Sequence, residues 1–118
     1  MKAARPLNVV FQDRSGQRAG AGMAQEFATA RAERRSIGED LLTVQHAWPV
    51  GKPLVDHLGD GIWELRSRLS NRIARTLFML GRSEIVVLHG FIKKTQKPPV
   101  QELELARRRK RIYEQSYE

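Results

Sequence analysis

The stretch Glu84 to Ile92, EIVVLHGFI, constrains this chain more than any other. Its length and density of β-branched residues are those of a buried strand. Yet it runs straight into Lys93, Lys94 and Lys97, which are costly to bury without anionic partners. The strand therefore has to surface abruptly. Pro98 and Pro99 cannot extend a sheet ladder but suit the start of a helix, so the lysines fall at a strand end on a short connection. Such a place holds either a solvated turn or a site for anions.

The other elements follow from periodicity. Leu7 to Phe11 (LNVVF) reads as a short strand, and the polar, glycine-containing Gln12 to Gly22 as loop. Ala24 to Arg35 is made of helix formers. A second helix is expected from Ser36, because Ser36 and Glu39 form an S-x-x-E capping box and Ile37, Leu41, Val44 and Trp48 follow at spacings of four, three and four. Pro49, Gly51 and Pro53 end it, and Gly59 and Gly61 punctuate the connection that follows. Ile62 to Arg68 (IWELRSR) reads as a strand, Leu69 to Asn71 as a turn, and Arg72 to Leu80 as a strand. Gly81 to Ser83 turns into Glu84 to Ile92, and a last helix is expected from about Pro99 to Tyr117. The fold class is α+β: strand, two-helix hairpin, three-stranded antiparallel meander and C-terminal helix, in one domain spanning 1–118.

Composition separates the two readings of the lysines only in part. With 118 residues, 41% hydrophobic, the chain suits one compact domain with a modest core. It has no cysteine, which excludes a disulfide scaffold, thiolate zinc sites and a cysteine nucleophile. The N-terminus lacks the apolar run of a signal peptide and no segment is long enough to span a membrane, so a cytoplasmic protein is expected. Residues 1–60 hold 8 Lys/Arg against 7 Asp/Glu, and residues 61–118 hold 13 against 6. With a pI near 10.6, the C-terminal half should attract a polyanion, most commonly nucleic acid.

Side-chain parity in the meander points to where that contact would be. Alternation puts Glu64, Arg66 and Arg68 on the face opposite Trp63 and Leu65. Arg75 shares its parity with Ile73, Leu77 and Met79, so it is either paired or lines a cleft. His89, Phe91 and Lys93 share one face, with Lys94 on the other. If the strands are neighbours, Arg66, Arg75 and the His89/Phe91/Lys93 face converge on a basic concavity containing an aromatic ring. Guanidinium groups bind phosphate in a bidentate way and a ring stacks on a base. Arg68, Arg72 and Lys97 are the flanking cations expected to touch the nucleic acid.

Each feature has a plainer explanation. Arg66 and Arg68 also suit a solvated sheet face, a lone histidine is more often structural than catalytic, and Phe91 is by default core. Arg107 to Arg111 (RRRKR) follows Glu102 and Glu104 along a helix, an order that favours the dipole and reads as a solvated face or an accessory nucleic-acid contact. His57, Asp60 and Glu64 fit no helical ligand spacing, so no metal site is expected. No GxGxxG, P-loop or nucleophile elbow occurs, and no cofactor is expected.

HLGDGIWELR (57–66), RIARTLFM (72–79) and IVVLHGFIKKTQKPPVQELELARRRKRIYE (85–114) together resemble the phage-derived, HigB-like branch of the RelE/ParE toxin superfamily of bacterial toxin–antitoxin systems. The resemblance is strong over His57 to Tyr113. It is weaker over VVFQDRSGQ (9–17) and the helical pair. It implies a small α/β toxin whose helical pair packs on one face of a twisted antiparallel sheet, acting as a ribosome-dependent mRNA interferase. It also implies a cognate antitoxin, a helix-turn-helix protein from the adjacent gene. Carried over by position, it marks Arg66, Arg75, Phe91, Lys93 and Lys94, with His89 in the same motif. The chain departs from its relatives at Asp56, where they often have a basic residue, and in Gly20 to Met23, which lacks their proline before the first helix.

The chemistry suits such residues. RNA is cut without metal when its own 2′-hydroxyl attacks the adjacent phosphate, which needs a base on that hydroxyl, cations on the developing charge and an acid for the leaving 5′-oxygen. Arg66 and Arg75 suit charge stabilisation, and Lys93, Lys94 or His89 the proton transfers. A ParE-like gyrase inhibitor that cuts nothing and a plain nucleic-acid-binding module are the other classes; KKT and Arg75 favour the interferase.

Overall fold

The computed structural model describes residues 8–12, 18–19, 31–81, 84–92 and 100–116. The elements are β1 (Asn8–Gln12), β2 (Arg18–Ala19), α1 (Arg31–Ala47), β3 (Val55–Gly59), β4 (Ile62–Arg68), β5 (Ile73–Leu80), β6 (Glu84–Ile92) and α2 (Val100–Gln115). They build a mixed α+β fold on one sheet of order β2-β1-β6-β5-β4-β3. β3 to β6 form an antiparallel meander. β1 joins parallel to β6, Asn8 opposite Glu84. None of the helices among the described residues is long and apolar enough to cross a membrane.

Two expectations are corrected. The first concerns the helix boundary at Ser36, which does not occur. Residues 31–47 form one helix, and the Ser36 hydroxyl donates to the Ala32 carbonyl one turn back (3.3 Å) instead of capping a new N-terminus. The helix formers upstream simply continue the helix, and a serine inside it satisfies its hydroxyl on the preceding turn. The expected two-helix hairpin is therefore absent over these residues; 24–30 lie outside those described. The second concerns the segment before Gly59. It is a strand, β3, which pairs with β4 through Asp56–Glu64 and His57–Trp63 and makes the meander four-stranded. The hairpin between them turns on Gly59, Asp60 and Gly61, all at positive φ (101°, 54° and 74°). Glycine takes that region freely and aspartate tolerates it.

Each face of the sheet is covered by one helix. Ile37, Leu41 and Val44, the four-and-three spacing of α1, pack against Val55, Leu65, Ala74, Phe78, Ile85 and Val87. Trp48, just past the helix end, stands edge-on to Trp63 and Phe78, at centroid distances of 4.9 and 5.8 Å. On the other face Ala106 and Tyr113 of α2 pack against Ile62, Leu77, Met79, Val86, Leu88 and Phe91. The Tyr113 hydroxyl donates to Glu84 at 2.8 Å across the start of β6. Gly81 lies against that hydroxyl so closely that a Cβ would overlap it.

Candidate functional site

The residues that alternation placed on one face are brought together. Arg66 lies opposite Arg75 on the β4–β5 ladder, and Arg75 opposite Phe91 on the β5–β6 ladder, so the three form a row across neighbouring strands. A register shift after Leu77 accommodates an extra residue in β6. Leu88 packs in the α2-side core while His89 meets α2 itself, and His89 stacks on Phe91 with ring centroids 5.8 Å apart. A bulge of this kind re-aims side chains without ending the strand.

The row is not a bare cluster of cations. Glu64, fully buried, accepts from Arg66 Nε at 2.8 Å and from Arg75 Nη1. Arg66 Nη2 reaches Asp56 at 3.2 Å, and Lys52 stands 3.6 Å from the same carboxylate. The two arginines differ in access: the Arg75 side chain is 1% exposed and that of Arg66 33%. Of the two readings of Arg75, the paired one describes its position, and the guanidinium that meets solvent is that of Arg66. Burying Arg75 is tolerable because Glu64 beside it is equally buried and opposite in charge.

His89 is gripped from α2. Its Nε2 meets Glu102, and its Nδ1 lies 3.5 Å from Arg109 Nη1, which also donates to the Leu88 carbonyl at 2.7 Å. Arginine only donates, so this arrangement assigns the lone pair to Nδ1 and the proton to Nε2, facing Glu102. Arg109 itself is 3% exposed. The solvated reading of Arg107 to Arg111 is therefore corrected at Arg109, while Arg108 and Arg111 are exposed. Arg107 pairs with Asp60 at 3.2 Å and lines a small cleft with Lys110 and Arg111.

Among the flanking cations, Arg68 is exposed and lines a cleft with Arg66, whereas Arg72 turns away to pair with Glu33 of α1 at 2.7 Å. Lys93, Lys94 and Lys97 lie outside the described residues. Sequence reasoning missed Glu64, Asp56, Glu102 and Arg109 as partners of the row. For Arg109 a signal existed: with Ala106 and Tyr113 it sits at spacings of three and four, on the buried face of α2. His57, Asp60 and Glu64 do not converge, since the His57 ring rests on Trp63 while Glu64 is buried with the arginines.

This fold, an antiparallel meander with a charged row under its last helix, is that of a small α+β protein. The chain belongs to the family described as Phage derived protein Gp49-like (DUF891), whose model matches residues 26–111. The family is toxin-like, and a toxin implies an antitoxin partner. No curated protein matches the chain.

Proposed function

We propose that the protein is the toxin of a type II toxin–antitoxin pair, related to the HigB-like RelE toxins, and that it is a metal-independent endoribonuclease cutting mRNA on the ribosome. The observation that carries this reading is the row Arg66, Arg75, Phe91 with Glu64 behind it. Arg66, held at two of its nitrogens by Glu64 and Asp56, presents a fixed guanidinium to a phosphate, where charge develops during attack by the 2′-hydroxyl. Arg75 balances Glu64 and keeps it from drawing Arg66 inward. Phe91, 9% exposed, and the His89 ring stacked on it form the wall beside the cation.

The proton transfers fall to Lys93 or Lys94, which follow Ile92 directly in sequence. His89 has both ring nitrogens engaged, its Nε2–H by Glu102 and the lone pair of Nδ1 by Arg109, so it serves as a base only if Arg109 withdraws. A ribosome that holds mRNA in a reactive geometry supplies the orientation that these residues alone do not. The partner is an antitoxin whose acidic surface covers the arginines, since opposite charge speeds encounter and blocks the phosphate site.

The test is to incubate the protein with translating ribosomes and, separately, with DNA gyrase. Cleaved mRNA with supercoiling unaffected is the expected result. Inhibited supercoiling without cleavage would make the protein a ParE-like gyrase inhibitor, and binding without either effect a plain nucleic-acid-binding module. The Lys93→Gln/Lys94→Gln double variant should lose cleavage by orders of magnitude at unchanged melting temperature. Normal cleavage by it would return these lysines to a solvated turn.

A further inference from the structure

An open cleft of about 460 Å³ is lined by Arg66 and Arg68 of β4, by Glu39 and Asp40 of α1, and by Leu54 and Ile73. Its size is that of small-molecule sites. Its charge is divided: guanidiniums on the sheet side, carboxylates on the helix side. Among the described residues Glu39, Asp40 and Arg68 make no ion pair, although all three line the same cleft. Arg66 is tied on its sheet side to Glu64 and Asp56 and does not cross to α1. The cleft thus offers both charges and apolar surface, without an ion pair between Arg68 and the α1 carboxylates.

A ligand that fills this space has to bring an anion to one wall, hydrogen-bond donors to the other and a flat apolar body between. A nucleotide has all three. Its phosphate suits paired guanidiniums. Carboxylates accept from the amino groups of bases, and single-stranded RNA is read on those edges. Guanine carries two adjacent donors, N1–H and the N2 amino group, which match the two oxygens of one carboxylate; uracil offers a single N–H.

We propose that the cleft between α1 and β4 is a nucleotide-recognition site in which Arg66 and Arg68 hold a phosphate while Asp40 and Glu39 read the base edge, preferring guanine. It rests on the reading of the protein as an RNA-cutting toxin and extends it, giving the enzyme a base preference next to the bond it cuts. Glu39 is exposed and Asp40 half-buried beside the packed face of Ile37, Leu41 and Val44, so amide replacements, which conserve shape, leave the core in place.

The experiment measures binding of a short uridine oligomer carrying guanosine, inosine or uridine at its centre to the wild type and to Asp40→Asn, Glu39→Gln and Arg68→Ala. Guanosine should bind about tenfold tighter than uridine, the size of one good bidentate contact. Inosine, lacking the N2 amino group, should fall between. Asp40→Asn with Glu39→Gln should erase the difference without weakening the uridine oligomer, and Arg68→Ala should weaken all three alike. Equal binding of the three by the wild type, or undiminished discrimination in the double variant, would overturn the assignment. So would protection of the Ser36 to Asp40 amides by the co-expressed neighbouring gene product with no oligomer bound, which makes the cleft a protein-docking groove. Discrimination without mRNA cleavage on ribosomes would support the site and count against the nuclease reading, whereas cleavage without discrimination would count against the site alone.

Discussion

Under α1 the sheet presents Val55, Leu65, Ala74, Phe78, Ile85 and Val87, with Trp48 and Trp63 at the margin. Under α2 it presents Ile62, Leu77, Met79, Val86 and Leu88, but also Glu64, Arg75 and His89, and the helix itself contributes Arg109. The first face is held by burial of apolar area, which has no direction and tolerates exchange of one shape for another of like volume. The second adds bonds with direction and charge, and each partner there depends on another. A buried ion pair is weak evidence for stability, because apolar residues of similar volume often serve as well. Among the described residues it lies on the face of Arg66 and Phe91, the face that the proposed site uses.

The sharpest way to break the comparison is Glu64→Gln, which conserves volume and removes charge. It leaves Arg75 buried without its carboxylate and should lower stability by about 3–5 kcal/mol in urea unfolding. Glu64→Leu combined with Arg75→Met should recover most of that loss. Additive effects in the pair would mean that the two are not coupled. On the α1 face the contrast runs the other way: Phe78→Ala should cost about 3–5 kcal/mol by leaving a cavity, and Phe78→Met under about 1.5.

Next in size is Arg66→Ala, expected to lower mRNA cleavage about 10²–10³-fold, as for loss of one donor to a developing charge. Glu64 keeps Arg75 as a partner when Arg66 is removed, so the urea midpoint should fall less than for Glu64→Gln. Tyr113→Phe removes the hydrogen bond to Glu84 that ties α2 to β6, and about 1.5–3 kcal/mol should go with it in the same measurement. The smallest effect should come from Arg72→Ala, whose exposed pair with Glu33 is worth under about 1 kcal/mol.

What could be read in the chain divides along the same line. Alternation gave the parity of Arg66, Arg75 and Phe91 each within its own strand, because parity is a local property and β4 and β6 keep the limits that periodicity gave them, while their meeting depended on the strands being neighbours. Glu64 shares its parity with Arg66, yet nothing local says that one carboxylate serves two arginines; that needs the β4–β5 register. β3 escaped because VDHLG is short, mixed in polarity and bordered by proline and glycine, as an edge strand with one neighbour can be. At Ser36 the capping pattern was present but the helix was already under way. In RRRKR a uniform run of charge hid the phase of the helix, and only the neighbours Ala106 and Tyr113 reveal which arginine turns inward.

The parallel pairing of β1 with β6 also governs timing. Asn8 finds Glu84 only after β2, α1 and the three strands β3 to β5 have been made, so the first of the described strands is among the last to be placed. Closing so long a loop is slow compared with forming the hairpins of the meander. The strand that carries His89 and Phe91 therefore gains its second neighbour only after the hairpins of the meander have formed.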